Sequence, residues 1–106
     1  MTDQPFTIKL HRREGREVLA VCDTDILGKI FEEGNRVLDL TSPFYTGNQA
    51  STEELKGLMA SAHILNLVGE GSIKVASDMG LIEDDNVIRV DGIPHAQAIN
   101  NTQFTD

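Results

Sequence analysis

The chain has 106 residues, 40% of them hydrophobic and 25% charged, the size and balance of one globular domain that can bury a core without staples. Its net charge of −8 argues against extended binding along a nucleic-acid backbone, because like charges repel at long range. A single cysteine, Cys22, excludes an internal disulfide; with no secretory leader and no apolar run of about 18 residues, a soluble cytoplasmic protein without a membrane span is expected.

One α+β domain is expected over residues 6–99, with a flexible N-terminus at 1–5 and a flexible tail at 100–106. Phe6-Thr7-Ile8-Lys9-Leu10-His11 alternates apolar and polar side chains, the pattern of a half-buried strand. Arg13-Glu14-Gly15-Arg16 reads as a turn, and the apolar run Glu17 to Cys22 reads as a more central return strand. Four of the nine basic side chains, Lys9, Arg12, Arg13 and Arg16, fall in the first 20 residues. That segment carries about +1 and the remainder about −9. It is either a solvated hairpin tip or a small basic patch that meets an acidic partner or RNA. Asp23 to Gly28 reads as one helical turn, with Asp23 capping its start and Gly28 ending it. Lys29-Ile30-Phe31 and Arg36 to Leu40 are two short strands around a Glu33-Gly34-Asn35 turn. Thr41 to Asn48 reads as a loop carrying Phe44 and Tyr45, which cap the core edge or offer a contact surface.

From Ser51 to Gly80 the reading is of two helices joined at Val68-Gly69-Glu70-Gly71. Ser51-Thr52-Glu53-Glu54 matches a capping box. Leu55, Leu58, Met59, Ala62 and Leu65 recur at helical spacing and form one apolar seam. Gly80-Leu81 reads as a glycine C-cap. A strand over Val87 to Val90, a turn at Asp91-Gly92 and an extended run from Ile93 to Ile99 follow, with Pro94 limiting the last to a strand's start or an edge. The expected architecture is a mixed or antiparallel sheet of five to six short strands, with both main helices on one face and the other face wetter. The expected core is Ile8, Leu10, Leu19, Val21, Leu38, Leu40, Leu55, Leu58, Met59, Ala62, Leu65, Ile73, Ala76, Val87 and Ile88.

No stretch specifies a reaction. Gly69-Glu70-Gly71-Ser72 matches neither the dinucleotide fingerprint nor the P-loop, and with a helix expected before it and Glu70 inside it, a structural corner is the reading. His95 lies in a polar, loop-like setting, so either an acid–base role or a structural hydrogen bond fits it. His11, His63, His95 and Cys22 lack metal-ligand spacing, and neither a metal nor a cofactor is expected.

Val21-Cys22-Asp23 leading to Leu27-Gly28-Lys29, Phe44-Tyr45 with Gly47, Asn66-Leu67-Val68-Gly69-Glu70 and Gly92-Ile93-Pro94-His95-Ala96-Gln97 occur in this order. The chain thereby resembles the small archaeal family known as domain of unknown function 424, over about residues 6–99. The resemblance implies an archaeal, cytoplasmic, compact α+β protein and supplies no activity. It marks Asn66, Gly69, Glu70, Gly92, Pro94, His95 and Gln97 as family positions. The first functional expectation is a non-enzymatic binding or adaptor module with a protein or ribonucleoprotein partner, in translation or RNA processing, using Arg12, Arg13, Phe44 and Tyr45. The alternative is a small enzyme or ligand-binding domain in which His95 acts as acid–base and Glu70 orients it across one cleft. A homo-oligomer joined through an edge strand is a third expectation.

Overall fold

The computed structural model describes residues 4–100, so of the two flexible ends expected at 1–5 and 100–106 all but residues 4, 5 and 100 lie outside the described residues. Strand β1 (Phe6–Arg13) and strand β2 (Arg16–Asp23) form the first hairpin. Glu14 and Gly15 turn it with φ of 51° and 80°, the doubly left-handed turn whose twist matches that of paired strands. A short 3₁₀ turn, Thr24–Ile26, leads to a second hairpin of β3 (Ile30–Glu33) and β4 (Arg36–Asp39). A further 3₁₀ turn at Pro43–Tyr45 is followed by β5 (Asn48–Ala50), helix α1 (Thr52–Ser61), β6 (Ile64–Val68) and helix α2 (Glu70–Asp78). After a last 3₁₀ turn, Asp84–Asn86, come β7 (Ile88–Val90) and β8 (Ile93–Ile99).

Six strands form one mixed sheet in the order β5-β1-β2-β6-β8-β7, and β3 and β4 form a separate pair. The pairing of β2 with β6 is parallel and every other pairing is antiparallel. Side chains alternate across the sheet. Leu19, Val21, Leu65, Leu67 and Ala96 face one side, where they pack with Leu55, Met59, Val75 and Ala76 of the two helices. Ala20, Cys22, Val68 and Val90 face the other side, beneath Leu38, Leu40 and Tyr45.

The α+β class, the six-stranded mixed sheet and the two helices on one face agree with the sequence reading. The middle of the chain differs. Helix α1 stops at Ser61, and the residues expected to complete it form β6, an interior strand. Ile64-Leu65-Asn66-Leu67-Val68 is apolar on both faces apart from Asn66, as a strand covered on both faces tends to be, and such a short run is indistinguishable by periodicity from a buried helix end. The Asn100 side-chain amide donates to the carbonyls of Met59 and Ala60 at 3.0 and 3.2 Å, satisfying groups that a terminating helix leaves open. The capping box is present: Glu54 N–H donates to Ser51 Oγ at 3.1 Å, and Ser51 N–H to Glu54 Oε1 at 2.8 Å. Leu65 therefore belongs to the sheet side of the core rather than to a helical seam.

The second face is not left wet along its length, since the β3–β4 hairpin and the Pro43–Tyr45 turn cover part of it. The expected core residues Leu10 and Ile88 are 45% and 42% exposed; Leu10 lies on β1 beyond the residues that β5 pairs, and β7 lies at the sheet margin. Ile8, Leu58, Ile73 and Val87 pack partly buried against the core.

Candidate functional site

The registers arrange the second face in rows. Thr7, Cys22, Val68, His95 and Ile88 lie side by side across β1, β2, β6, β8 and β7; Lys9, Ala20, Asn66 and Gln97 form the next row; His11, Val18, Ile64 and Ile99 the next; Arg13 and Arg16 close it. The first row lies beneath the hairpin. Tyr45 then reaches down from its turn and donates its hydroxyl to Asn66 Oδ1 at 2.6 Å, both side chains being buried. Burial and the neighbouring Cys22 push the Tyr45 phenol up to about 12, so it stays a neutral donor. Tyr45 thus caps the core edge instead of offering a contact.

Phe44 turns the other way. Its ring stacks on His11 with centroids 4.4 Å apart and planes 9° from parallel, and the His11 Nε2 lies 3.0 Å from the Phe44 carbonyl. This ties the 3₁₀ turn to β1 and sets a half-buried aromatic ledge among Lys9, Arg13 and Arg16, all exposed and in no ion pair among the described residues. Arg12 points to the opposite face, where it pairs with Glu17 at 2.9 Å. The ledge therefore joins Arg13 and Phe44, as expected, adds Lys9, His11 and Arg16, and leaves out Arg12 and Tyr45.

The Glu70–His95 pair is not assembled. Glu70 opens α2 on the helical side and accepts from Arg89 Nη1 at 2.8 Å, and the same guanidinium also donates to the Gly92 carbonyl at 3.0 Å. That contact holds the Arg89 pKa above its ordinary value. His95 sits on the other face of β8 with Nδ1 3.0 Å from the Leu67 carbonyl. No hydrogen bond or ion pair joins Glu70 to His95 among the described residues; each is held by a different partner, Arg89 and the Leu67 carbonyl. Pro94 is buried at the start of β8, and its carbonyl accepts the Gly69 N–H at 2.9 Å. Gly92 forms the β7–β8 turn with Asp91, at φ of 81° and 52°. Asn66 is buried beneath Tyr45, and Gln97 is exposed beside it.

A strand, not a helix, precedes Gly69. The order strand, Gly69-Glu70-Gly71, helix exposes amides that attract an anion, and the chain fills the place itself. Asp23 accepts from Gly71 N–H and Ser72 N–H at 2.8 Å each and from Ser72 Oγ at 2.6 Å. Asp23 does not cap the 3₁₀ turn that follows it, as expected from sequence; its side chain makes no bond there. A Cβ on Gly69, at φ 112°, would lie 2.3 Å from the Asp23 carboxyl carbon, so glycine is needed both for the backbone conformation and for the approach. Nothing near Asp23 in sequence announces this contact; only recognising β6 as a strand would have exposed the need for an acceptor.

Cys22 is buried, and desolvation, reinforced by Asp23 and Asp25, pushes its thiol up to about 12; it is a packing residue, not a nucleophile. Among the described residues no group of three or more His, Cys, Asp or Glu is placed to hold a metal ion, and no helix is long and apolar enough to cross a membrane.

A family described as protein of unknown function (DUF424) matches residues 11–100. The chain belongs to that family. The DUF424 match runs from His11 to Asn100 and so takes in the ledge apart from Lys9, the Asp23 cap and every strand but the start of β1. The crystal structure of an uncharacterized conserved protein from Methanopyrus kandleri is similar, with a TM-score of 0.71 and 28% identity, over 87% of this chain and 88% of that one. No curated protein matches this DUF424 chain.

Proposed function

We propose that the protein is a non-enzymatic docking module that engages an acidic surface of a partner protein through the Phe44 ledge. The observation that carries this reading is the His11–Phe44 stack, which fixes an aromatic anchor among three exposed cations on a chain otherwise strongly acidic. Aromatic anchors rimmed by arginine are enriched at protein interfaces, and the cations would steer an acidic partner to this face alone. Three cations also make a weak phosphate-binding footprint, and the −9 on the rest of the chain opposes extended RNA, so protein is favoured over nucleic acid. A cytoplasmic adaptor in translation or RNA processing fits this reading.

The test is capture of partners from native extract by wild type and by a Lys9→Glu/Arg13→Glu variant, each with and without nuclease. The expected result is a defined protein retained by wild type, resistant to nuclease, weakened by rising salt and lost with the variant. Equal capture by both chains would remove the ledge from the function. Nuclease-sensitive capture would replace the protein partner with RNA.

A further inference from the structure

We propose that the open edge of β8 accepts an extended, basic segment of a partner protein as an added strand. Along β8 the Pro94 carbonyl accepts from Gly69 and the Asn100 N–H donates to His63 at 2.8 Å, so even-numbered residues direct their backbone groups toward the β6 side. Residues of a strand alternate in this respect. Ile93 and His95 therefore face β7, where they pair with Val90 and Ile88. Strand β7 begins at Ile88, opposite His95. Beyond it Gln97 and Ile99 direct two N–H and two C=O groups outward, with no strand beside them among the described residues.

The surroundings of this edge fit a strand. A cleft of about 550 Å³ lies against it, lined by Ile64, Leu81, Asn86, Gln97, Ala98 and Ile99, within the range of ordinary ligand sites. Ile99 is 64% exposed and pairs with Ile64, and Ile88 is 42% exposed at the other end. An incoming strand would gain main-chain hydrogen bonds from Gln97 and Ile99 and seat alternate apolar side chains beside Ile99 and over Ala98, the mode known as β-augmentation. Edges of this kind are usually blunted by lysine, proline or a bulge, and Gln97-Ala98-Ile99 carries none.

Charge selects the occupant. The exposed acidic turn Glu83-Asp84-Asp85 leads directly into Asn86 on the cleft wall, and none of its carboxylates enters an ion pair among the described residues. A second copy pairing edge to edge would bring two such turns together on two chains of −8 each, whereas a strand bearing lysine or arginine would be drawn in. With the Phe44 ledge facing an acidic partner, the two sites would give one small domain two partners of opposite charge.

The experiment is hydrogen exchange of the full chain, read by NMR, with short synthetic peptides of alternating Lys and Val or of alternating Glu and Val. The Lys–Val peptide is expected to slow exchange at the Gln97 and Ile99 amides about tenfold or more, and the Glu–Val peptide to leave them unchanged. Gln97→Pro removes one outward N–H without touching the β6 ladder, a substitution edges tolerate, and is expected to abolish protection at Ile99. Asp84→Lys with Asp85→Lys is expected to reverse the peptide preference. No protection at saturating peptide, or protection unaffected by Gln97→Pro, would overturn the proposal. A dimer in light scattering that Gln97→Pro dissolves would overturn it in favour of a second copy. The Lys9→Glu/Arg13→Glu variant should bind the Lys–Val peptide as wild type does, so failure at this edge and failure of the Phe44 ledge are separable.

Discussion

Replacing Asp23 with alanine removes the acceptor that three donors at the start of α2 share. Gly71 is only partly buried, so its N–H can turn to water in place of the carboxylate. Ser72 is fully buried, so its N–H and hydroxyl cannot, and each buried donor left unsatisfied costs about 1–3 kcal/mol. Loss of the helix cap and of a carboxylate at the positive end of the helix dipole adds roughly 1 kcal/mol. The expected total is about 3–7 kcal/mol, a fall in Tm of roughly 12 °C or more for a domain of this size. Asp23→Asn keeps one carbonyl acceptor but sets an amide against a second donor, and should cost about 2 kcal/mol. The assay is urea unfolding of wild type, Asp23→Ala, Ser72→Ala and the double variant. If Asp23 acts by satisfying Ser72, the double variant is more stable than additivity predicts by about 1 kcal/mol. A single Asp23→Ala cost below about 1 kcal/mol, or strict additivity, would show that the helix start does not depend on this carboxylate.

Tyr45→Phe should leave Asn66 Oδ1 buried without its donor and cost about 1–2 kcal/mol, measured by thermal unfolding; an unchanged Tm would mean that water or another group replaces the hydroxyl. Alkaline stability follows from Cys22 and Tyr45, whose folded values near 12 stand above ordinary values of 9.0 and 10.0. The unfolded chain releases these protons first, so stability should be level below about pH 9 and fall from there toward pH 12. Unfolding midpoints in urea across that range test this, and Cys22→Ala should flatten the first part of the decline.

The sequence made plain those elements whose signals are local. The Ser51–Glu54 box, the Asp91-Gly92 turn and the alternation from Phe6 to His11 each depend on residues within one turn or strand, and each appears where expected. Ile64 to Val68 was illegible for a physical reason. A strand packed against helices on one face and against a hairpin and Tyr45 on the other is apolar except where a buried partner meets it, as Tyr45 meets Asn66, and it follows a helix without proline or glycine to mark the change. That single misreading hid more than a strand. It concealed the strand before Gly69, hence the need for an acceptor there, hence the role of Asp23. It also left Glu70 and His95 free to be imagined together, when Glu70 opens α2 and pairs with Arg89, opposite Pro94, while His95 faces the other side of the sheet. The ledge was half legible: the charge cluster and the aromatic pair were visible, but which of Phe44 and Tyr45 turns outward depends on Asn66, distant in sequence and buried.

The side-by-side alignment of β2 with β6 has a consequence for how the chain is made. The first hairpin closes by local contacts, yet its inner strand acquires its second neighbour only after the second hairpin, β5 and α1 have been synthesised, and Val18 must then find Ile64. Such non-local pairing raises contact order and slows the search. On the ribosome the nascent β1–β2 ribbon would emerge with both edges unsatisfied, one awaiting β5 and the other β6, and the sheet could be completed only when β8, at the end of the described residues, is released.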